Sequence, residues 1–180
     1  MKTKNALLPD SSILSKATHT YDYVDSYKGF LPNTNRTYTS TEIGKAFFSS
    51  GPKWIDYLFS LRNRIVKLFG LKTSDGITDR QKQLTEFKCE PGEQMGLFKV
   101  IDKTENEVII GEDDKHLNFK VSLLYQQKTD VTSNDMLTIT TVVKFNNWFG
   151  RLYFLPVRPF HKLIVPAMLK GIIQNLAKLD

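Results

Sequence analysis

Two stretches decide how this chain folds: Leu117-Asn118-Phe119-Lys120-Val121-Ser122-Leu123 and Thr138-Ile139-Thr140-Thr141-Val142-Val143. In the first, apolar and polar residues alternate, the period of a strand with one buried face. The second is dense in β-branched residues, which suit a pleated surface. The same period recurs outward from them. Leu84 to Cys89, Gln94 to Asp102, Glu107 to Gly111, Leu117 to Gln127 and Met136 to Asn146 all read as strands. Their short connections, such as Lys103-Thr104-Glu105-Asn106, indicate antiparallel hairpins.

Helical signals flank this region. Thr39-Ser40-Thr41-Glu42 fits a capping box, and Ile43, Ala46 and Phe47 give the following helix a buried stripe. Pro52 suits the first turn of a second helix, with Trp54, Leu58, Leu61, Ile65 and Leu68 on one face and Gly70 as its cap. The first forty residues read as extended and loop-rich. After the strands, Trp148 to Leu155 is very apolar, and Pro156 and Pro159 should reset the chain. From Phe160 through Leu163, Ile164, Ala167, Met168 and Ile172 to Leu176 runs an amphipathic helix, with a kink or break expected at Pro166. The order predicts an α+β domain over residues 1–180, with 1–17 expected to be poorly ordered. A curved antiparallel sheet wraps a long C-terminal helix, two helices are inserted near the N-terminus, and the space between sheet and helix can hold an apolar ligand.

Composition narrows the classes. The chain has 180 residues, 41% hydrophobic and 24% charged, with twelve Phe, seven Tyr and two Trp. Its one cysteine, Cys89, excludes an internal disulfide, fits a reducing compartment and has no activating pattern around it. No signal-peptide h-region or membrane-spanning apolar run is present, so a cytoplasmic protein is expected. The net charge of +6 is unevenly spread: residues 141–180 hold six Lys/Arg and one acid, whereas 83–135 hold six Lys/Arg and eleven acids. The C-terminal basic residues stand singly among apolar ones, which argues against nucleic acid. The three histidines are scattered, so no metal is expected; Gly92 and Gly96 precede no helix, so no nucleotide site is expected, and no cofactor is expected.

Longer motifs carry a resemblance. Gly111-Glu112-Asp113-Asp114-Lys115-His116-Leu117-Asn118-Phe119-Lys120-Val121-Ser122 resembles the signature of a bacterial family of domains of unknown function. The Trp54…Leu58…Leu61-Arg62-Asn63 helix, Gly150-Arg151-Leu152-Tyr153 and Pro159-Phe160-His161-Lys162-Leu163-Ile164 extend it over roughly residues 18 to 170. Asn118 and Lys120 depart from the Asp and Arg expected there. That family is similar to the START-like (SRPBCC) superfamily, whose helix-grip fold encloses a hydrophobic cavity. The resemblance implies a lipid- or polyketide-sized ligand and, because related domains occur behind reductase domains, a reductase-type partner; it supplies no reaction.

The candidate residues follow. Trp54, Phe98, Phe119, Phe145, Phe160 and Met168 are expected as pocket walls or as plain core. Arg151, Tyr153, Arg158 and His161 can line a pocket mouth and hold an anionic head group, or decorate the surface. If a strand begins near Asp114, then Asp114 and His116 share a face and can serve as acid and base in an enzyme of this fold, such as a cyclase, dehydratase or hydrolase. The plainer reading is a solvated hairpin corner. A third reading has the run Trp148-Phe149…Tyr153-Phe154-Leu155, with Arg151 and Arg158, touching a membrane surface or a partner.

Overall fold

The computed structural model describes residues 3–32, 36–51, 80–128 and 134–178. The expected helix from Lys53 to Phe69, with Trp54, lies outside the described residues. Among those described, seven strands form one antiparallel sheet. They are β1 (Lys4–Ala6), β2 (Tyr23–Phe30), β3 (Gln94–Met95), β4 (Phe98–Lys103), β5 (Glu107–Asp113), β6 (Leu117–Gln126) and β7 (Met136–Phe145), in the order β1-β2-β7-β6-β5-β4-β3. Three α-helices accompany them: α1 (Ser40–Ser49), α2 (Arg80–Glu86) and α3 (Trp148–Leu176). The fold is α+β, and it is compatible with a helix-grip arrangement.

The alternation in β6 and β7 sorts the side chains between two faces. Val121, Leu123, Leu137 and Ile139 join the core under α1 and α3, with Val108 and Ile110 of β5 and Leu169, Ile172 and Ile173 of α3. The opposite face carries Ile109 and Val142, covered by Leu14 from a 3-10 segment, Ile13–Thr20. Glu107, on that outer face and buried, anchors the segment by accepting from Ser12 Oγ (2.6 Å) and the Ile13 N–H (2.8 Å). The residues read as loop-rich thus include β2, which pairs with β7 over its whole length.

The capping box is present: Thr39 Oγ1 accepts from the Glu42 N–H, and Glu42 Oε2 accepts from the Thr39 N–H. Three other expectations give way. Leu84–Glu86 ends α2 rather than opening a strand, and Phe87–Glu90 follows without regular structure, with Cys89 in the left-handed region at φ 60°. Gly96, also at positive φ, turns the expected Gln94–Asp102 strand into the β3–β4 hairpin. Finally, α3 passes through Pro156, Pro159 and Pro166 as one helix. Pro156 and Pro159 are exposed, so water can reach the helix where each removes a backbone donor.

Candidate functional site

The β5–β6 turn sets the first group of candidate residues. β6 begins at Leu117, not near Asp114, so Asp114-Lys115-His116 forms the turn itself. Asp114 Oδ1 accepts from the Lys115 N–H (2.5 Å), and the Asp114 carbonyl accepts from Asn146 Nδ2 (2.7 Å). The His116 ring meets Asn147 through Nδ1 and packs at a 58° tilt against Phe149, 4.8 Å between centroids. No hydrogen bond joins Asp114 to His116. Asn147 also caps α3, its Oδ1 accepting from the Gly150 N–H (3.1 Å). This corner therefore fastens the start of α3 to the sheet.

Beside it lies a cleft of about 30 Å³, lined by Leu97, Glu112, Asp114, His116, Leu117, Phe119 and Tyr153. The structure brings Asp114, His116, Phe119 and Tyr153 together there. Phe98 stands one ring further in, edge-on to Phe119 at 5.7 Å and to Phe47 at 5.5 Å. The other candidates lie apart. Met168 is buried in the core, and Phe145 packs on Phe154 (5.5 Å) with the Arg151 guanidinium 5.9 Å above its ring. Arg151 pairs loosely with Asp22 (3.4 Å), and Phe160 is exposed.

His161 belongs to a second polar group that the sequence reading missed. Its Nδ1 is 3.0 Å from Asp25 Oδ2, which also accepts from the Tyr23 hydroxyl (2.8 Å). Tyr23 packs on Phe154 at 4.8 Å, and Arg158 sits over its ring at 5.5 Å. Burial first, then the bond to Asp25 and its charge, pushes the Tyr23 phenol up, with Arg158 acting in the opposite direction. Asp25 Oδ1 and Thr141 Oγ1 are buried without partners, and Asp25 and Thr141 are directly opposite in the β2–β7 register. The signal was present in Tyr21-Asp22-Tyr23-Val24-Asp25-Ser26-Tyr27: read as a strand, it puts Tyr23, Asp25 and Tyr27 on one face.

A wider groove of about 400 Å³ lies on the outer side of the sheet, between Ala6, Leu7, Leu8, Asp10, Ser15 and Thr18 and the strand residues Val24 to Ser26. Among the described residues no group of three metal-ligating side chains converges, and no helix is long and apolar enough to cross a membrane.

Residues 17–168 match a family described as "Protein of unknown function (DUF2867)". No curated protein and no solved structure matches the chain. The match takes in the cleft, the Asp25–His161 pair and most of α3, but only part of the outer groove. With the greater part of its length inside that match, the chain belongs to the DUF2867 family.

Proposed function

We propose that this protein takes up a small hydrophobic molecule between the first half of α3 and the β4–β6 part of the sheet, in the manner of a START-like helix-grip domain. One observation carries the reading. On the helix-facing side of β6, Val121, Leu123 and Tyr125 are buried, whereas Leu117 and Phe119 are only half-buried. The covered face is thus complete at one end and incompletely filled at the other, where Leu97, Leu117, Phe119 and Tyr153 offer apolar walls beside Glu112, Asp114 and His116.

At about 30 Å³ the cleft has room for about one water molecule. A lipid- or polyketide-sized molecule enters as the first half of α3 lifts from the sheet. Pro156 and Pro159 favour that movement, since each deletes one hydrogen bond in this half. These polar groups orient a polar head rather than perform a reaction, because His116 is held by Asn147 and not by a carboxylate. The reductase-type partner implied by the resemblance remains part of this proposal as the source or recipient of the molecule.

Native mass spectrometry of the purified protein, followed by titration with the fluorescent fatty acid cis-parinaric acid, tests it. A co-purified apolar ligand or saturable uptake is expected, weakened by Leu97→Glu and Tyr153→Ala. Absence of both, or uptake indifferent to these variants, would remove the reading.

A further inference from the structure

The first half of α3 carries a second apolar stripe that an ordinary surface helix lacks. Such helices put apolar residues inward and charges outward. Here Phe154, His161 and Val165 turn toward the sheet, while Trp148, Leu152, Leu155 and Leu163 turn to solvent, more than half exposed in each case. Their spacing of four, three and eight residues keeps them on one stripe, with exposed Pro159 filling the gap. From Trp148 to Leu163 the stripe is roughly 22 Å long at ~1.5 Å per residue. Phe160, 48% exposed, widens it on one flank. Arg151, Arg158 and Lys162, all exposed, border it on the other. Between Trp148 and Leu176 there are four Lys/Arg and no Asp or Glu.

We propose that this stripe lies on an anionic lipid surface, with Trp148, Leu152, Leu155 and Leu163 in the acyl boundary and Arg151, Arg158 and Lys162 against the phosphates. Charge selects the occupant. A stripe of Trp and Leu bordered by basic side chains is the pattern of a helix lying in the interface plane, where each cation near a negative membrane adds to the apolar attraction. A second copy docking through the same face would place its own Arg151, Arg158 and Lys162 near these, so like charges would meet. Depth is limited too. Pro156 and Pro159 take the ordinary helical donors from the carbonyls of Leu152 and Leu155, and such carbonyls belong at the hydrated headgroup level. The proposal stands whether or not the cleft holds a ligand.

Co-sedimentation with vesicles of phosphatidylcholine alone, and of phosphatidylcholine with phosphatidylglycerol, tests it on the full chain. Binding is expected only where phosphatidylglycerol is present and should fall as salt is raised. The double variant Leu152→Asp, Leu155→Asp and the double variant Arg158→Glu, Lys162→Glu should each weaken it by at least about tenfold. Far-UV circular dichroism should stay unchanged, because these side chains are exposed. Equal binding to both vesicle types, no binding to either, or unchanged binding by both variants overturns the proposal. So does a dimer in sedimentation velocity that Leu152→Asp, Leu155→Asp dissociates, which would give the stripe to a second copy.

Discussion

His161 of α3 and Asp25 of β2 meet at 3.0 Å, Nδ1 to Oδ2, with their side chains 17% and 13% exposed. The bond ties the middle of α3 to the sheet between Phe154 and Leu169. It differs from a surface ion pair, whose contribution is small, because the same carboxylate also accepts from Tyr23. Asp25→Ala leaves both Tyr23 and His161 without their acceptor and should cost about 1–3 kcal/mol. His161→Ala should cost less, since Tyr23 still serves Asp25. Urea unfolding of both variants and of the double variant checks this; the double should lose less than the sum of the singles, as groups in one network do.

Opposite Asp25, the Thr141 hydroxyl is buried without a partner. Replacing an unpartnered hydroxyl with a methyl removes a desolvation cost and keeps the shape. Thr141→Val should therefore be neutral or stabilise by up to about 1 kcal/mol. A clear loss in the thermal midpoint would mean instead that a water or a bound molecule uses the hydroxyl in solution.

Much of this architecture was legible, because period-2 alternation is a strong signal where one sheet face is buried. β5, β6 and β7 and the Thr39–Glu42 cap all follow from it or from local chemistry. Leu84–Cys89 misled because its alternation is short, and seven residues of helix with a left-handed Cys89 satisfy the same apolar positions. The prolines of α3 misled because their cost depends on whether the freed carbonyls are wet, which is a tertiary fact. Of the sites, the Asp114–His116 corner could be found locally but its roles could not: capping by Asn147 lies 31 residues away. Asp25 and His161 are 136 residues apart, so no local pattern joins them.

Cys89 makes the fold sensitive to alkali. Burial pushes its thiol from the ordinary 9.0 up to about 11. The native state thus holds the proton more tightly than the unfolded chain. The stability this carries is complete below pH 9 and is lost as pH rises toward 11. Tyr23 and Tyr125, both raised mainly by burial, act in the same direction at higher pH. Urea midpoints followed from neutral pH through 9 to 11 should fall, and less steeply in Cys89→Ala. Iodoacetamide should label Cys89 in urea but scarcely in the folded protein, because the reactive thiolate is suppressed and covered.

Gly150, in the first turn of α3, packs so closely on the β5–β6 turn that an added Cβ would fall against the His116 carbonyl oxygen, a backbone atom that cannot rotate away. On helix propensity alone, Gly150→Ala would gain about 1 kcal/mol. The contact reverses the sign, and a net loss of about 1–3 kcal/mol is expected, as for overpacking. Thr39→Ala removes the cap of α1, away from the cleft, and should also cost about 1 kcal/mol. The two variants separate stability from placement. Tyr153 follows Gly150 by one turn and walls the cleft, so Gly150→Ala should also alter cis-parinaric acid uptake, whereas Thr39→Ala should lower the urea midpoint and leave uptake nearly as it was. Uptake unchanged in Gly150→Ala, with the midpoint lowered, would detach the cleft from the seat of α3.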